Sequence, residues 1–137
     1  MTPKPSEPTW IDELDALAIH TRLLALDGGA PGVRAPDLLA SALARPRQHH
    51  AYDGTMDVVR LAALHTVAIV QNHPFVDGTK RTGFVIGVLF LELHGLAFVA
   101  PQELATVAVL DLAASRTGLD GYERFLRDHV EPRAERP

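Results

Sequence analysis

Residues 57–94, DVVRLAALHTVAIVQNHPFVDGTKRTGFVIGVLFLELH, contain two nearly continuous apolar stretches on either side of a short polar break. The stretches at 57–72 and 80–94 are long enough for helices, and apolar residues cover almost the whole circumference of each. Helices of this kind are usually buried. The break contains a proline and an Asp-Gly pair, which interrupt a helical pattern. We therefore predict two central, buried helices joined by a loop over residues 73–79.

The rest of the chain predicts further helices around this central pair. Their expected ranges are 9–27, 36–44, 101–118 and 120–130. The expected helix-capping pairs are Thr9 with Asp12 and Asp120 with Glu123. Residues 45–55 have no helical period and predict a loop or a small hairpin, and at most residues 96–100 are extended. The predicted fold class is all-α, a compact bundle of about six helices.

Length and composition indicate a single soluble domain. The chain has 137 residues, and we expect the domain at residues 9–131, with a flexible N-terminal tail at 1–8 and a C-terminal tail at 132–137. A net charge of −4 does not favour direct nucleic-acid binding, and the lack of cysteine excludes disulfides and thiolate metal sites. The apolar run at 83–91 is too short to span a membrane, and no signal peptide is visible, so we expect a cytoplasmic protein.

The break and the first two residues of the helix after it, HPFVDGTKR at residues 73–81, carry the side chains of a phosphate-transfer site. His73 is a candidate general base, because histidine is the residue that most often acts as one in enzymes. Asp77 offers the oxygen ligand that magnesium prefers. Gly78 allows close approach of the backbone to a phosphate. Lys80 and Arg81 add positive charge at a helix N-terminus, which binds anions through its free N–H groups.

Each of these residues also has an ordinary structural explanation, as a helix end, a tight turn or a solvated first turn. The pair Lys80 and Arg81 favours a functional explanation over a structural one. Two cations at a helix N-terminus oppose the helix dipole and cost about 0.3–1 kcal/mol each. A bound anion would compensate that cost, so we expect phosphate or a nucleotide there.

Residues 73–81 also resemble the signature of the Fic/Doc family, His-x-Phe-x-(Asp/Glu)-(Gly/Ala)-Asn-(Gly/Lys)-Arg. They agree with that pattern at every position except Thr79, where the family has asparagine. Lys80 resembles the Doc branch, the toxin of the Phd–Doc toxin–antitoxin pairs. Residues 28–34, 38–45 and 89–95 resemble Doc-like chains as well, and the resemblance covers roughly residues 11–130.

The resemblance implies a role for each residue of the motif. His73 would take the proton from a target hydroxyl, Phe75 would anchor the loop in the core, and Asp77 would bind Mg²⁺. The residues implied in binding the nucleotide phosphates are Gly78, Thr79, Lys80 and Arg81, with Lys80 and Arg81 also counted as catalytic. Threonine lacks the amide of the family's asparagine, and this bears directly on catalytic competence.

The resemblance further implies an activity and its partners. A Doc-like kinase transfers the terminal phosphate of ATP to a protein hydroxyl, with elongation factor Tu as the known target, and stops translation. A Phd-like antitoxin would be the expected partner. Two alternatives stay open: a Fic enzyme that transfers AMP, and, because of Thr79, a non-catalytic relative that binds a nucleotide or a partner protein.

Other aromatic and histidine residues have expected roles outside the motif. In Fic-like folds a flap lies over the active site and docks the target as an added strand; the corresponding residues here are Gln48, His49, His50, Ala51 and Tyr52. We expect His65 to be a hydrogen-bonded core residue, His20 and His129 to be solvated or lightly paired, and Trp10 to pack at a helix start.

Overall fold

The computed structural model describes residues 7–134, which form six helices and two short strands. The all-α prediction is therefore confirmed. The helices are α1 (Glu13–Asp27), α2 (Pro36–Asp53), α3 (Val58–Asn72), α4 (Thr79–Leu93), α5 (Gln102–Ala113) and α6 (Leu119–Arg127). The strands are β1 (Leu96–Phe98) and β2 (Val130–Pro132). Between residues 7 and 134, no helix has the length and apolar character needed to cross a membrane.

Helices α3 and α4 form the centre of the molecule, as the apolar pattern predicts. Every residue of α3 from Leu61 to Val70 is buried. α4 packs along α3 at close range because two of its buried positions are glycines, Gly83 and Gly87. A Cβ at Gly87 would overlap Thr66 Oγ1 and lie 3.2 Å from the carbonyl oxygen of Ala62. The close contact fixes how the loop between the two helices is presented.

The N-cap of α1 is Asp12, three residues after the cap predicted at Thr9. The capping box is formed by Asp12 and Asp15: Asp15 N donates to Asp12 Oδ1 at 2.8 Å and Asp12 N donates to Asp15 Oδ2 at 3.1 Å. Thr9 N instead donates to His94 Nε2 at 2.9 Å. The predicted end of the helix is confirmed, with Gly28 as its C-cap.

Helix α2 contradicts the prediction of a loop or hairpin at residues 45–55. It continues through Pro46 to Asp53 and ends at Gly54, which has a left-handed backbone. A proline inside a helix removes a hydrogen bond and crowds the preceding turn. Here its ring is buried on the same face as Leu43, and this core contact offsets the cost. Residues 48–52 are therefore the last turns of a helix.

The chain beyond α4 returns to it through a small antiparallel sheet. β1 pairs with β2 in the register Leu96 with Pro132 and Phe98 with Val130, and Arg133 N donates to Gly95 O at 2.9 Å. This pairing extends two residues past the predicted domain end at 131.

Helices α5 and α6 also differ from the predicted ranges. α5 ends at Ala113, five residues before the predicted position, and α6 begins at Leu119 after Gly118. The predicted cap formed by Asp120 and Glu123 is wrong. Both carboxylates instead accept from Arg60 Nη1, at 3.5 and 2.7 Å, and so link α6 to α3.

Candidate active site in the loop between α3 and α4

The loop at residues 73–78 is held by a second loop, residues 28–35, that follows α1. Arg34 N and Ala35 N donate to Pro74 O at 2.7 and 3.1 Å, and Val76 N donates to Gly32 O at 3.1 Å. These hydrogen bonds lie on either side of an isolated antiparallel β-bridge between Val33 and Phe75. Two loops distant in sequence therefore form one rigid platform beside the N-terminus of α4.

His73 ends α3 and lies exposed on this platform. Its backbone is left-handed, with φ of 48°, a conformation that costs a residue other than glycine about 1–2 kcal/mol. The His73 carbonyl accepts two hydrogen bonds from Arg34, from Nε at 2.9 Å and from Nη2 at 2.7 Å. A guanidinium at a helix C-terminus is favourable for the helix dipole. Arg34 thus compensates the strained backbone that presents the His73 ring to solvent.

The Asp77 carboxylate is exposed and oriented by two backbone N–H groups. Gly78 N donates to Oδ1 at 2.9 Å, and Ala30 N donates to Oδ2 at 3.2 Å. Gly29 is required next to it, because its φ is 123° and a Cβ there would lie 3.1 Å from Asp77 Oδ2. Each carboxylate oxygen keeps a further lone pair for another ligand.

The position of Asp77 suits a magnesium site in which the substrate supplies some of the ligands. It does not suit a site built from protein ligands alone. Within residues 7–134, no group of three or more His, Cys, Asp or Glu side chains is placed to hold a metal. Magnesium commonly takes one or two carboxylates and completes its shell with phosphate oxygens and water. A single fixed carboxylate beside an anion site is consistent with that pattern.

Helix α4 begins at this platform with the two predicted cations in its first turn. Gly78 is its N-cap, with φ of 76°, and Lys80 is exposed. Arg81 Nη1 lies 3.2 Å from Asp27 Oδ2, and both side chains are about half exposed. The anionic group that compensates the charge of Arg81 within the protein is therefore the carboxylate of Asp27, at the end of α1. A phosphate at the helix N-terminus would compete with this carboxylate for the guanidinium.

Thr79 is placed differently from the other motif residues. Its side chain is buried, and Thr79 Oγ1 accepts from Phe75 N at 3.3 Å and lies 3.4 Å from Phe75 O. The hydroxyl therefore closes the turn from Phe75 to Thr79 and faces away from solvent. Thr79 is the first residue of α4, and Gly78 before it is the N-cap. Any contact of Thr79 with a phosphate falls to its backbone N–H.

Phe75 and His20 form the floor of the platform. Phe75 is fully buried, as predicted. Of the two states predicted for His20, solvated or lightly paired, solvation is wrong: its exposed fraction is 4%, and its ring stacks on Phe75 at 3.9 Å with an interplanar angle of 10°. His20 Nε2 donates to Asp77 O at 2.7 Å. Spacing of four residues from the buried Ala16 was the sequence signal for an inward position.

Comparison with known proteins agrees with this geometry. The model of the Fic/DOC family matches residues 10–91, a range that includes α1, α2, α3 and the whole platform. The chain belongs to the Fic/DOC family. It is similar to "Protein kinase doc" of Escherichia phage P1, with 30% identity over 95 residues that cover 69% of this chain and 75% of that protein. This similarity places it on the Doc branch of the family, and both comparisons support a transferase of the Fic/DOC type.

In this Fic/DOC chain the residues predicted as a target-docking flap lie in α2. His50 Nδ1 donates to Thr55 O at 2.9 Å, and His49 lies 3.9 Å from Asp53 on the next turn. Tyr52 is 95% exposed. Because these residues are helical, they offer no extended edge to which a target strand could add. Docking by residues 48–52, which stays a prediction, would have to use the surface of a helix.

The remaining predicted histidines are structural in their contacts. His65 is buried in the core and donates from Nδ1 to Leu61 O at 2.8 Å, as predicted. Burial lowers the pKa of His65 to about 4. His129 Nδ1 donates to Phe125 O at 2.8 Å, which fits the prediction of light pairing. Trp10 stacks on Phe90 at 6.0 Å and so packs at the start of the fold, as predicted.

Proposed function

We propose that this Fic/DOC chain is a Doc-like protein kinase of the cytoplasm. It transfers the terminal phosphate of ATP to a hydroxyl of elongation factor Tu and thereby blocks translation. The observation that carries the proposal is the platform itself: an exposed histidine, a fixed exposed carboxylate and a cationic helix N-terminus are held together by loops at residues 28–35 and 73–78. These are the groups that phosphoryl transfer needs for positioning and charge stabilisation.

In the proposed reaction the oxygen of the target hydroxyl forms a bond to the terminal phosphorus of ATP. The bond between that phosphorus and the bridging oxygen breaks, and ADP leaves. A ring nitrogen of His73 accepts the proton of the hydroxyl. The N–H groups at the start of α4, with Lys80 and Arg81, stabilise the negative charge of the phosphates. Asp77 would hold Mg²⁺, which neutralises phosphate charge when it is bound.

Two alternatives remain as outcomes of the same test. Transfer of AMP would require the opposite end of the nucleotide to lie near His73, and Lys80 favours the kinase because it resembles the Doc branch. A non-catalytic relative is favoured by the buried hydroxyl of Thr79, which leaves the site without a side-chain donor at that position. Loss of one preorganised donor typically lowers a rate about 10²–10³-fold.

The test uses ATP labelled separately at the γ and α phosphates, with purified elongation factor Tu and Mg²⁺. Transfer of the γ label is expected. His73→Asn is the inactive variant, because asparagine tolerates the left-handed backbone of His73 but supplies no base. His129→Asn is its matched control at a distance from the platform and should keep full activity. Transfer of the α label would show an AMP transferase, and nucleotide binding without transfer would show the non-catalytic relative.

We also propose a Phd-like antitoxin as the protein partner. Membership of the Doc branch supports it, since Doc toxins occur in toxin–antitoxin pairs. Expression of the chain alone should stop growth, and co-expression of the protein encoded beside it should restore growth. Growth arrest that persists with the neighbouring protein present would contradict the pairing.

A further inference from the structure

We propose that His20 is a positioning residue for the site, which fixes the carboxylate of Asp77 through the peptide group between Asp77 and Gly78. Its effect on nucleotide binding rests on the function proposed above. Its effect on the geometry of Asp77 does not.

The position of the His20 ring is itself tightly determined. Residue 20 lies on the inner face of α1, with an exposed fraction of 4%, and its ring lies flat on the fully buried Phe75. Stacking at 3.9 Å leaves little freedom for the ring to tilt or slide. A carbonyl oxygen can only accept a hydrogen bond, so the 2.7 Å contact with Asp77 O places a proton on His20 Nε2.

The peptide group carries this constraint from the ring to the carboxylate. His20 holds the C=O of the peptide between Asp77 and Gly78. A peptide group is planar, so the direction of the C=O also sets the direction of the N–H on its other side. That N–H belongs to Gly78, and it donates to Asp77 Oδ1 at 2.9 Å. The imidazole therefore orients the carboxylate without touching it.

Without the imidazole donor, this orientation would be weakly held. Gly78 has φ of 76° and no side chain, so the peptide before it can rotate more easily than elsewhere in the chain. Ala30 N would remain as the second donor, at the longer distance of 3.2 Å. Losing a partner that orients a metal ligand typically costs about 10–100-fold in metal affinity or activity.

Two variants separate positioning from packing. His20→Phe keeps a flat ring against Phe75 but removes the donor, whereas His20→Gln keeps an N–H donor but removes the aromatic ring. His129→Phe is the matched control, because His129 also donates to a backbone carbonyl and packs on a phenylalanine, but it lies near β2. Thermal melting of all three variants establishes that they are folded.

The first measurement is the amide resonance of Gly78 in two-dimensional NMR of the full chain, without nucleotide. His20→Phe should shift this resonance and speed its hydrogen exchange at least tenfold, whereas His20→Gln and His129→Phe should leave it close to wild type. An unchanged Gly78 amide in His20→Phe would overturn the proposal. So would an equal change in both His20 variants, because packing alone would then explain it.

The second measurement is a magnesium titration of ATP affinity by calorimetry. His20→Phe should weaken the magnesium-dependent affinity about 10–100-fold and leave affinity in the absence of magnesium unchanged, with His20→Gln closer to wild type. Loss of affinity with and without magnesium alike would overturn the positioning role. If wild type binds no ATP while Gly78 responds as expected, the proposed function fails and the positioning role of His20 stands.

Discussion

The side chains of residues 73–79 divide between core and solvent. His73 and Asp77 are exposed, whereas Phe75 and Thr79 are buried. The buried pair is hydrogen-bonded through Thr79 Oγ1. One set of side chains therefore anchors the loop, while the other set is exposed at the candidate site, and both lie within seven residues.

The anchoring role of Phe75 predicts a large loss of stability on truncation. Phe75→Ala should lower the free energy of unfolding by about 3–5 kcal/mol, because the cavity lies in the core and His20 loses its stacking partner. Urea denaturation measures the change. Phe84→Ala, which removes a half-buried ring packed edge-on against Phe98, is the control and should cost less. Equal stability of Phe75→Ala and wild type would contradict the anchor.

The ion pair of Asp27 with Arg81 predicts an effect on nucleotide affinity. Asp27→Asn frees the guanidinium for phosphate, so ATP should bind more tightly. A half-exposed ion pair is worth about 0–1 kcal/mol, which limits the gain to about fivefold. Calorimetric titration measures it. Asp111→Asn breaks a comparable surface pair with Arg116 and should leave affinity unchanged. Weaker binding by Asp27→Asn would show that Asp27 supports the site.

At the scale of elements, the distance between α3 and α4 sets the geometry of the platform. Two buried glycines of α4 face α3, but they differ in the space around them. A Cβ at Gly83 would meet side-chain methyl groups of Ile69 and Val70 at 3.3 Å, which can shift slightly. At Gly87 it would meet Thr66 Oγ1 and a backbone oxygen. The close approach therefore depends mainly on Gly87.

This difference predicts opposite outcomes for the same substitution. Gly87→Ala should destabilise the protein by about 1–3 kcal/mol, because Thr66 must give up its hydrogen bond to Gly83 O or the helices must separate. Gly83→Ala should be nearly neutral, since alanine is the better helix former by about 1 kcal/mol. Chemical denaturation of both variants provides the comparison. A Gly87→Ala protein as stable as Gly83→Ala would contradict the close contact.

Elements with a strong apolar pattern were predictable from sequence, and those stabilised by tertiary contact were not. α3 and α4 lie within one residue of the predicted bounds, because burial on all sides gives them an unbroken apolar pattern. The second half of α2 contains Pro46 and polar residues, which locally favour a loop. Contact of Leu43 and Pro46 with the core, which no local pattern shows, keeps that half helical.

The grouping of the candidate-site residues along the chain was visible in the sequence, but the contacts that hold them were not. Local sequence placed His73, Asp77 and the two cations within nine consecutive residues, from the loop into the start of α4. The contacts that orient them come from residues distant in sequence: Arg34 from 39 positions away and His20 from 57. Periodicity reports which face of an element is buried, but not which distant side chain lies opposite it.

At the scale of the whole molecule, α3 separates two apolar clusters. Its residues Leu61, Leu64 and Val67 pack with the side of the core that includes α5 and α6. Ala68 and Ile69 pack with the side that includes α1, α2 and Phe75. A helix shared by both clusters links the platform to the C-terminal half, and we expect the described chain to unfold cooperatively.

Global stability should fall as the pH is lowered, because His65 is buried in the neutral form. Burial lowers the pKa of His65 from 6.5 to about 4, so the unfolded chain binds a proton in this window and the folded chain does not. The contribution of neutral His65 to the free energy of unfolding is fully present above pH 6.5 and is lost progressively as the pH falls to 4. At about 1.4 kcal/mol per pH unit, the loss approaches 3 kcal/mol.

The contribution of His65 can be isolated with His65→Gln, which does not ionise and can still donate to Leu61 O. Urea denaturation at pH 7, 5.5 and 4 should show a flatter dependence for this variant than for wild type. Burial acts to raise the pKa values of carboxylates such as Asp57 and Glu123, but hydrogen bonds donated by Arg127 help to give a net lowering, and these groups titrate equally in both proteins. Parallel pH profiles would assign the acid sensitivity to those carboxylates.

The hydrogen bonds between the two loops of the platform also have a consequence for motion. Arg34 N, Ala35 N and Val76 N all donate across the contact between residues 28–35 and 73–78, so none can open unless the loops separate. Their deuterium uptake should therefore be slow and correlated, with a single opening free energy, unlike that of most surface loops. Any catalytic motion near His73 would then be a motion of target and nucleotide against a stationary frame.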